Sequence, residues 1–176
     1  SFFKSLGRQS TKIKKVMICG GGNLCFYLTR QLLQAGMQVK IIERNPEKCE
    51  YLCEALPKAT IIQGDAADHD LLLEEGIQGT DAVVALTGMD EENIIMSLFA
   101  KAQGVDKIIA KVNEDSRAQM VEGLGIDSIV SVKSAAADEI VNYVRARKNS
   151  YSSANVETIY RLLGGRVEAM EFIIKK

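Results

Sequence analysis

Six short apolar runs, each followed by a segment long enough for a helix, constrain this chain more than any other feature of its sequence. KKVMIC (14–19), MQVKIIE (37–43) and ATIIQ (59–63) fall in the first half; DAVVAL (81–86), DKIIAKV (106–112) and DSIVSV (127–132) fall in the second. Short, nearly continuous apolar runs of this kind suit strands buried on both faces. The intervening segments carry helical signals. Leu24, Leu28, Leu32 and Leu33 recur at helical spacing over 23–35, and Gly36 stops that helix. Pro46 opens a second helix that runs to about Leu56. A short one ends near Gly76, and 90–103 opens on Asp90, Glu91 and Glu92, acids that suit a helix N-terminus. Helices over 114–123, capped by Asn113, and over 134–147 complete the series. Strands alternating with helices predict βαβ units in a parallel sheet covered on both faces. Two triplets of strands predict an α/β, Rossmann-like, doubly wound six-stranded sheet, which binds ligands beyond the carboxyl ends of its strands.

The ends of the chain have a different texture. Residues 1–13 carry Lys4, Arg8 and Lys12 with no acid and little periodicity, and read as a linker into a domain over 14–148. From 149 the polar stretch NSYSSAN leads into NVETIYRLL and RVEAMEFII, two alternating segments around Gly164-Gly165. That is a β-hairpin signal. A lone hairpin is marginal in water, so 149–176 reads as a linker and the beginning of a small C-terminal domain.

Charge and apolar content then exclude some functions. With 22 Lys+Arg against 23 Asp+Glu the net charge is −1, which argues against a nucleic-acid partner. No apolar run reaches the roughly 18 residues that span a bilayer, and no signal peptide opens the sequence. No direct membrane insertion is expected, and any membrane connection runs through a partner. Cys19, Cys25, Cys49 and Cys53 read as reduced thiols. Cys49 and Cys53 share a helix face, but no further Cys/His pair completes a metal site. The lone His69 reads as a surface residue.

The chemistry centres on the first strand-to-helix turn, Gly20-Gly21-Gly22-Asn23-Leu24-Cys25. Gly20 and Gly22 take the first two glycine positions of the dinucleotide fingerprint: one permits the tight turn, the other lets a phosphate approach the backbone at a helix N-terminus. Glu43 follows at the end of the second strand, where a carboxylate accepts hydrogen bonds from a ribose diol. It would repel a 2′-phosphate, which disfavours NADP, but does not choose among NAD, NADH, ADP and ATP; Arg44 beside it softens that exclusion. Cys25 stands at the third glycine position, so the helix is expected slightly displaced.

GGGNL (20–24), IIERNPEKCE (41–50), QGDAAD (63–68), VALTGMDEENIIMSLFAK (84–101) and AKVN (110–113) together resemble the RCK/KTN domains, above all the NAD-binding subunit of Trk-type potassium uptake systems. The resemblance covers nearly all of 14–176, and the triple glycine after a basic linker is similar to the second of two tandem halves in such subunits. It implies a cytoplasmic regulatory subunit, no enzyme, that binds NAD(H), or else ADP/ATP, and gates a membrane potassium transporter from a homodimer or higher ring. It implies a peripheral location at the inner face of the cell membrane, through that partner. Residue by residue it implies a phosphate loop at Gly20, Gly21, Gly22, Asn23 and Leu24, and a ribose carboxylate at Glu43. Asp65 then lines the adenine region, Thr87 and Gly88 sit beside the ligand, and Lys111 lies near the phosphates, with no catalytic residue and no metal. Two alternatives stand beside it. An NAD-dependent oxidoreductase would need a substrate domain and a proton-handling group that the sequence does not display. A degenerate scaffold half that binds no nucleotide draws its support from Cys25.

Overall fold

The computed structural model describes residues 13–113, 124, 126–149, 156–162 and 167–172. The expected linker up to residue 12, the helix over 114–123, the polar stretch over 150–155 and the turn at Gly164-Gly165 lie outside these residues. The chain divides into two compact units, Ser1–Ser131 and Val132–Lys176.

In the first unit the strands are β1 (Lys15–Cys19), β2 (Gln38–Glu43), β3 (Thr60–Gln63), β4 (Ala82–Ala85), β5 (Lys107–Lys111) and β6 (Ser128–Val130). They form one sheet in the order β3-β2-β1-β4-β5-β6, every neighbouring pair parallel. This is the doubly wound order, with the chain reversing direction across the sheet between β1 and β4. The helices are α1 (Asn23–Gln34), α2 (Pro46–Ala55), α3 (His69–Glu74) and α4 (Asp90–Ala102), with a short 3₁₀ turn at Ile77–Gly79.

Strand alternation divides the core into two layers. Val16 and Ile18 of β1, Val39 and Ile41 of β2, and Ala82 and Val84 of β4 pack with Cys25, Leu52 and Leu56 under α1 and α2. Met17, Cys19, Ile42, Val83 and Ala85 face the other way, against Leu72, Ile77, Met96 and Ala100 of the α3–α4 side. A sheet buried on both faces has no polar face to spend, which is why its strands read as unbroken apolar runs.

The helix ends follow their local chemistry. Gly36 closes α1, its N–H donating to the Leu33 carbonyl while that of Met37 donates to Leu32. That is the paired bonding of a Schellman cap. Asn45, unrecognised in the sequence, caps α2 by accepting from Lys48 N–H at 3.0 Å, and Asp68 caps α3 by accepting from Asp70 and Leu71. The first turn of α4 carries three acids. α1 has neither a side-chain cap nor a first-turn acid.

The second unit holds α5 (Val132–Asn149) and an antiparallel pair, β7 (Val156–Leu162) and β8 (Val167–Phe172), in register from Val156↔Phe172 to Leu162↔Val167. The expected strand at 127–132 therefore ends two residues early, and the helix expected from 134 begins at Val132. An apolar residue at such a boundary satisfies either period, so the pattern alone misassigns it. Among the described residues no helix is long and apolar enough to cross a membrane.

Asp81 ties the amino ends of β1 and β4 together, accepting from Lys14 N–H at 2.7 Å and Lys15 N–H at 2.8 Å. The backbone hydrogen bonds from Lys15 and Lys14 hold its carboxyl below the ordinary carboxylate range. A pKa depressed on folding adds stability above the unfolded value of about 3.9 and loses it as pH falls through the folded value. Asp81→Ala is therefore expected to lower the melting temperature at pH 7. The gap to wild type should narrow in melts taken below about pH 4; a gap that does not change with pH would count against this role.

Candidate functional site

At the carboxyl ends of β1, β2 and β4 a cleft of about 320 Å³ opens, lined by loop residues of the first four βα connections and by Lys111 of β5. Gly20, Gly21, Gly22, Glu43, Asp65, Thr87, Gly88 and Lys111, all singled out in the sequence, come together on its walls. Asn23 and Leu24 do not line it; they open α1 with exposed side chains. Arg44, Lys48 and Glu92 also line the cleft. Of these, Lys48 and Glu92 are not marked as site residues by the sequence pattern. Their signal was positional: both stand in the first turn of a helix that follows a strand.

The three glycines answer to different constraints. Gly20 has φ +105°, and a Cβ there would lie 2.9 Å from the Leu86 carbonyl carbon. Both the conformation and the close approach of β4 require glycine. At Gly21 a Cβ would press on Leu52 Cδ1 at 2.8 Å and on the stem of Glu43 at 3.0 Å. At Gly22 a Cβ would meet no protein atom within 4 Å. The protein itself therefore leaves room for a side chain at Gly22, which lines the cleft.

Glu43 is 8% exposed, and each of its carboxylate oxygens is engaged. Oε2 accepts from Gly21 N–H at 2.6 Å and Oε1 accepts from Asn45 N–H at 2.8 Å. The expected ribose carboxylate is thus also the anchor of the glycine loop; a carboxylate oxygen has a second lone pair, so each can still accept from a hydroxyl. Cys49 Sγ donates to the Glu43 carbonyl at 3.2 Å, fastening α2 to the end of β2.

Cys25, at the third fingerprint position, has no exposure and sits among the apolar residues of the α1–α2 layer, its Sγ 3.8 Å from Thr29 Oγ1. Burial, above all, pushes its thiol up to about 11, with a partial offset from the Thr29 hydroxyl; burial lifts Cys19 to about 12. Cys49 is raised as well, by burial and then by the Glu43 charge. All four cysteines are free thiols, and Cys53 alone of them is exposed; the face shared by Cys49 and Cys53 straddles the edge of the core. Such protonated thiols behave as small hydrophobes.

Asp65 accepts from Ala67 N–H at 2.9 Å, so it shapes its own turn as well as lining the cleft. The Thr87 hydroxyl is turned into the protein, donating to Asn93 Oδ1 at 2.9 Å and accepting from Met89 N–H at 3.3 Å. His69 is exposed and stacks on Phe99 with ring centroids 3.9 Å apart.

Residues 16–132 match the family profile of the TrkA-N domain. The chain belongs to the TrkA-N domain family. It is 34% identical over 173 residues to the Trk system potassium uptake protein TrkA of Vibrio alginolyticus, covering 98% of this chain and 36% of that protein. It is 30% identical over 167 residues to the protein of the same name from Azorhizobium caulinodans, covering 94% of this chain and 35% of the relative. The chain thus spans little more than a third of the curated relatives it matches. Those relatives are named as potassium uptake proteins, not as enzymes. Among solved structures, the TrkA-N domain of the inner membrane protein YbaL from Escherichia coli superimposes with TM-score 0.66 at 17% identity, over 74% of this chain and 96% of that one. The GsuK RCK domain gives TM-score 0.66 at 19% identity, over 90% of this chain and 33% of that one. GsuK bound to ADP gives 0.64 at 21%, over 80% and 36%. These likenesses establish the Rossmann-like fold.

The glycine geometry separates folding from ligand access. Gly20→Ala should cost on the order of 1–3 kcal/mol in chemical denaturation, from the left-handed backbone and the contact with Leu86. Gly22→Ala should denature as wild type does; an equal loss in both variants would show that Gly22 is a packing glycine.

Proposed function

We propose that this chain is the nucleotide-binding part of a regulatory subunit for potassium uptake, and that the cleft takes an adenine nucleotide whose occupancy biases a membrane transporter. The observation that carries the reading is Gly22. It lines the cleft, a Cβ there would meet no protein atom, and it stands at the start of an uncapped helix, one residue beyond a loop anchored by a buried carboxylate. In a TrkA-N domain, a residue without a side chain where the protein leaves space for one is best explained by a group that approaches from outside.

In this reading Glu43 accepts from the ribose diol, Gly20–Gly22 and the backbone N–H groups of Asn23 and Leu24 face the phosphates, and Asp65 borders the adenine. Thr87, Gly88 and Lys111 form the wall beside the remainder of the ligand. The acidic Glu43 favours NAD(H), with ADP or ATP as the other candidates, over a 2′-phosphorylated nucleotide. GsuK bound to NAD and GsuK bound to ADP are both known for a protein of this fold, which supports that choice. The domain is read as 14–148, with 149–176 starting a small C-terminal domain, and the chain as the second of two tandem halves.

Regulation, not catalysis, follows from the same reading. A ligand shifts a conformational equilibrium only through its different affinity for two states, and a homodimer or ring transmits that shift to its transporter. Ile95 of α4 and Ile140 and Val144 of α5 are exposed apolar residues suited to such self-association. The subunit works in the cytoplasm, at the inner face of the membrane through its partner. The departure from glycine at Cys25 is what supports a second reading, a scaffold half that binds nothing.

Mass spectrometry of the ligand released from purified protein, followed by calorimetry with NADH, ADP and NADPH, decides between them. NADH or ADP should bind, and NADPH more weakly. Glu43→Ala should weaken the first two by about 1.5–3 kcal/mol, the scale of hydrogen bonds to a charged group, with Gly21 losing its anchor as well. A wild-type chain that binds none of them at millimolar concentration would leave the scaffold reading standing.

A further inference from the structure

Asn93 does not line the cleft, yet it joins two of the residues that do. Its side chain has no exposure, and all four hydrogen-bonding positions of its amide are used. Oδ1 accepts from Thr87 N–H at 2.8 Å and from Thr87 Oγ1 at 2.9 Å. Nδ2 donates to the Thr87 carbonyl at 3.3 Å and to the Lys111 carbonyl at 2.9 Å. These backbone partners also fix which way the amide faces, because a carbonyl can only accept and an N–H can only donate.

The position of this side chain in the sheet gives it its meaning. The β4–β5 ladder makes its last pairing at Ala85↔Ala110. Beyond it the strands are no longer held by each other, and the crevice of a doubly wound sheet forms where the strands end. Asn93 takes over at that point, bonding to the backbone two residues past Ala85 on one side and one residue past Ala110 on the other. One turn earlier on α4, Asp90 accepts from Asn113 N–H at 2.9 Å, so the helix grips the exit of β5 twice.

We propose that Asn93 is a positioning residue for the nucleotide site: it sets the separation of the Thr87 and Lys111 walls and thereby the affinity for the part of the ligand beyond the adenosine. The inference rests on the nucleotide reading above and adds a residue to it. No other side chain of this size fits the role. Aspartate would set a buried charge against two carbonyl oxygens with no donor to offer, and alanine would leave the Thr87 and Lys111 groups without their partner. Glu43, which faces the ribose, stands at the end of β2 and is not part of this network.

The test compares ADP and NADH with adenosine, which reaches Glu43 but carries no phosphate. Binding of all three to the whole chain is measured by calorimetry and nuclear magnetic resonance titration for wild type, Asn93→Asp and Asn93→Ala. The expected result is at least tenfold weaker binding of ADP and NADH in both variants, with adenosine affinity unchanged. Amide hydrogen exchange should show the Thr87 N–H losing protection while β1 and β2 keep theirs. Equal loss for adenosine and ADP, or loss of protection throughout the sheet, would reduce Asn93 to a general packing residue and overturn the proposal. Unchanged ADP and NADH binding in a variant with wild-type stability would overturn it too. If Asn93→Asp does not fold, Asn93→Ala, which buries no charge, carries the comparison. A wild type that binds neither ADP nor NADH is a different failure, because it removes the nucleotide reading itself.

Discussion

The bond from Gly21 N–H to the Glu43 carboxylate, at 2.6 Å and out of solvent, organises the mouth of the sheet. It joins the loop after β1 to the end of β2, which are neighbours in the sheet but lie 22 residues apart in sequence. A charged acceptor in a buried setting makes a stronger bond than a neutral one, and the second oxygen extends the tie to Asn45 at the start of α2. From there Asn45 caps α2, and Cys49 returns to the Glu43 carbonyl. The loop, two strands and a helix are thus tied together around one residue, Glu43. Its side chain is also the candidate ribose acceptor, so binding and loop geometry are coupled at a single carboxylate.

Most of the architecture was legible because a doubly covered parallel sheet leaves little freedom in composition. The central strands β1, β2 and β4 are buried on both faces almost throughout, while the edge strands β3 and β6 keep exposed residues at their ends. The glycine turn, Glu43 and the acids of α4 could be located because their roles depend on where strands end. Polar staples were not legible in the same way. In the sequence nothing sets Asn93 apart from the polar residues around it, and only its depth and its bonds to the Thr87 and Lys111 carbonyls show what it holds. Asn45 was hidden behind Pro46, the stronger local signal. Lys48 and Glu92 belong to the cleft through the rotation of their helices, which a linear pattern does not record.

The third glycine position shows how a departure from a fingerprint is absorbed. The sequence predicts that Cys25 pushes α1 away from the sheet. In the structure the side chain is fully buried among Val16, Ile18, Val84 and Leu86, with its thiol held protonated by that burial. It is one of the residues that fill the layer, and the cleft forms with Cys25 in place.

Four helices point their amino ends toward the cleft edge of the sheet, and their electrostatics differ. Each helix begins with a partial positive charge of roughly half a proton. On α2 and α3 that charge is met by the Asn45 and Asp68 caps, and on α4 by Asp90, Glu91 and Glu92. α1 has no such compensation. The cleft also carries both signs of charge, Glu43, Asp65 and Glu92 against Arg44, Lys48 and Lys111, so its walls are mixed and not uniformly basic. Of the four helix ends only that of α1 is left without a cap or an acid, so a polyanion would meet a field with a direction rather than a uniform basic surface.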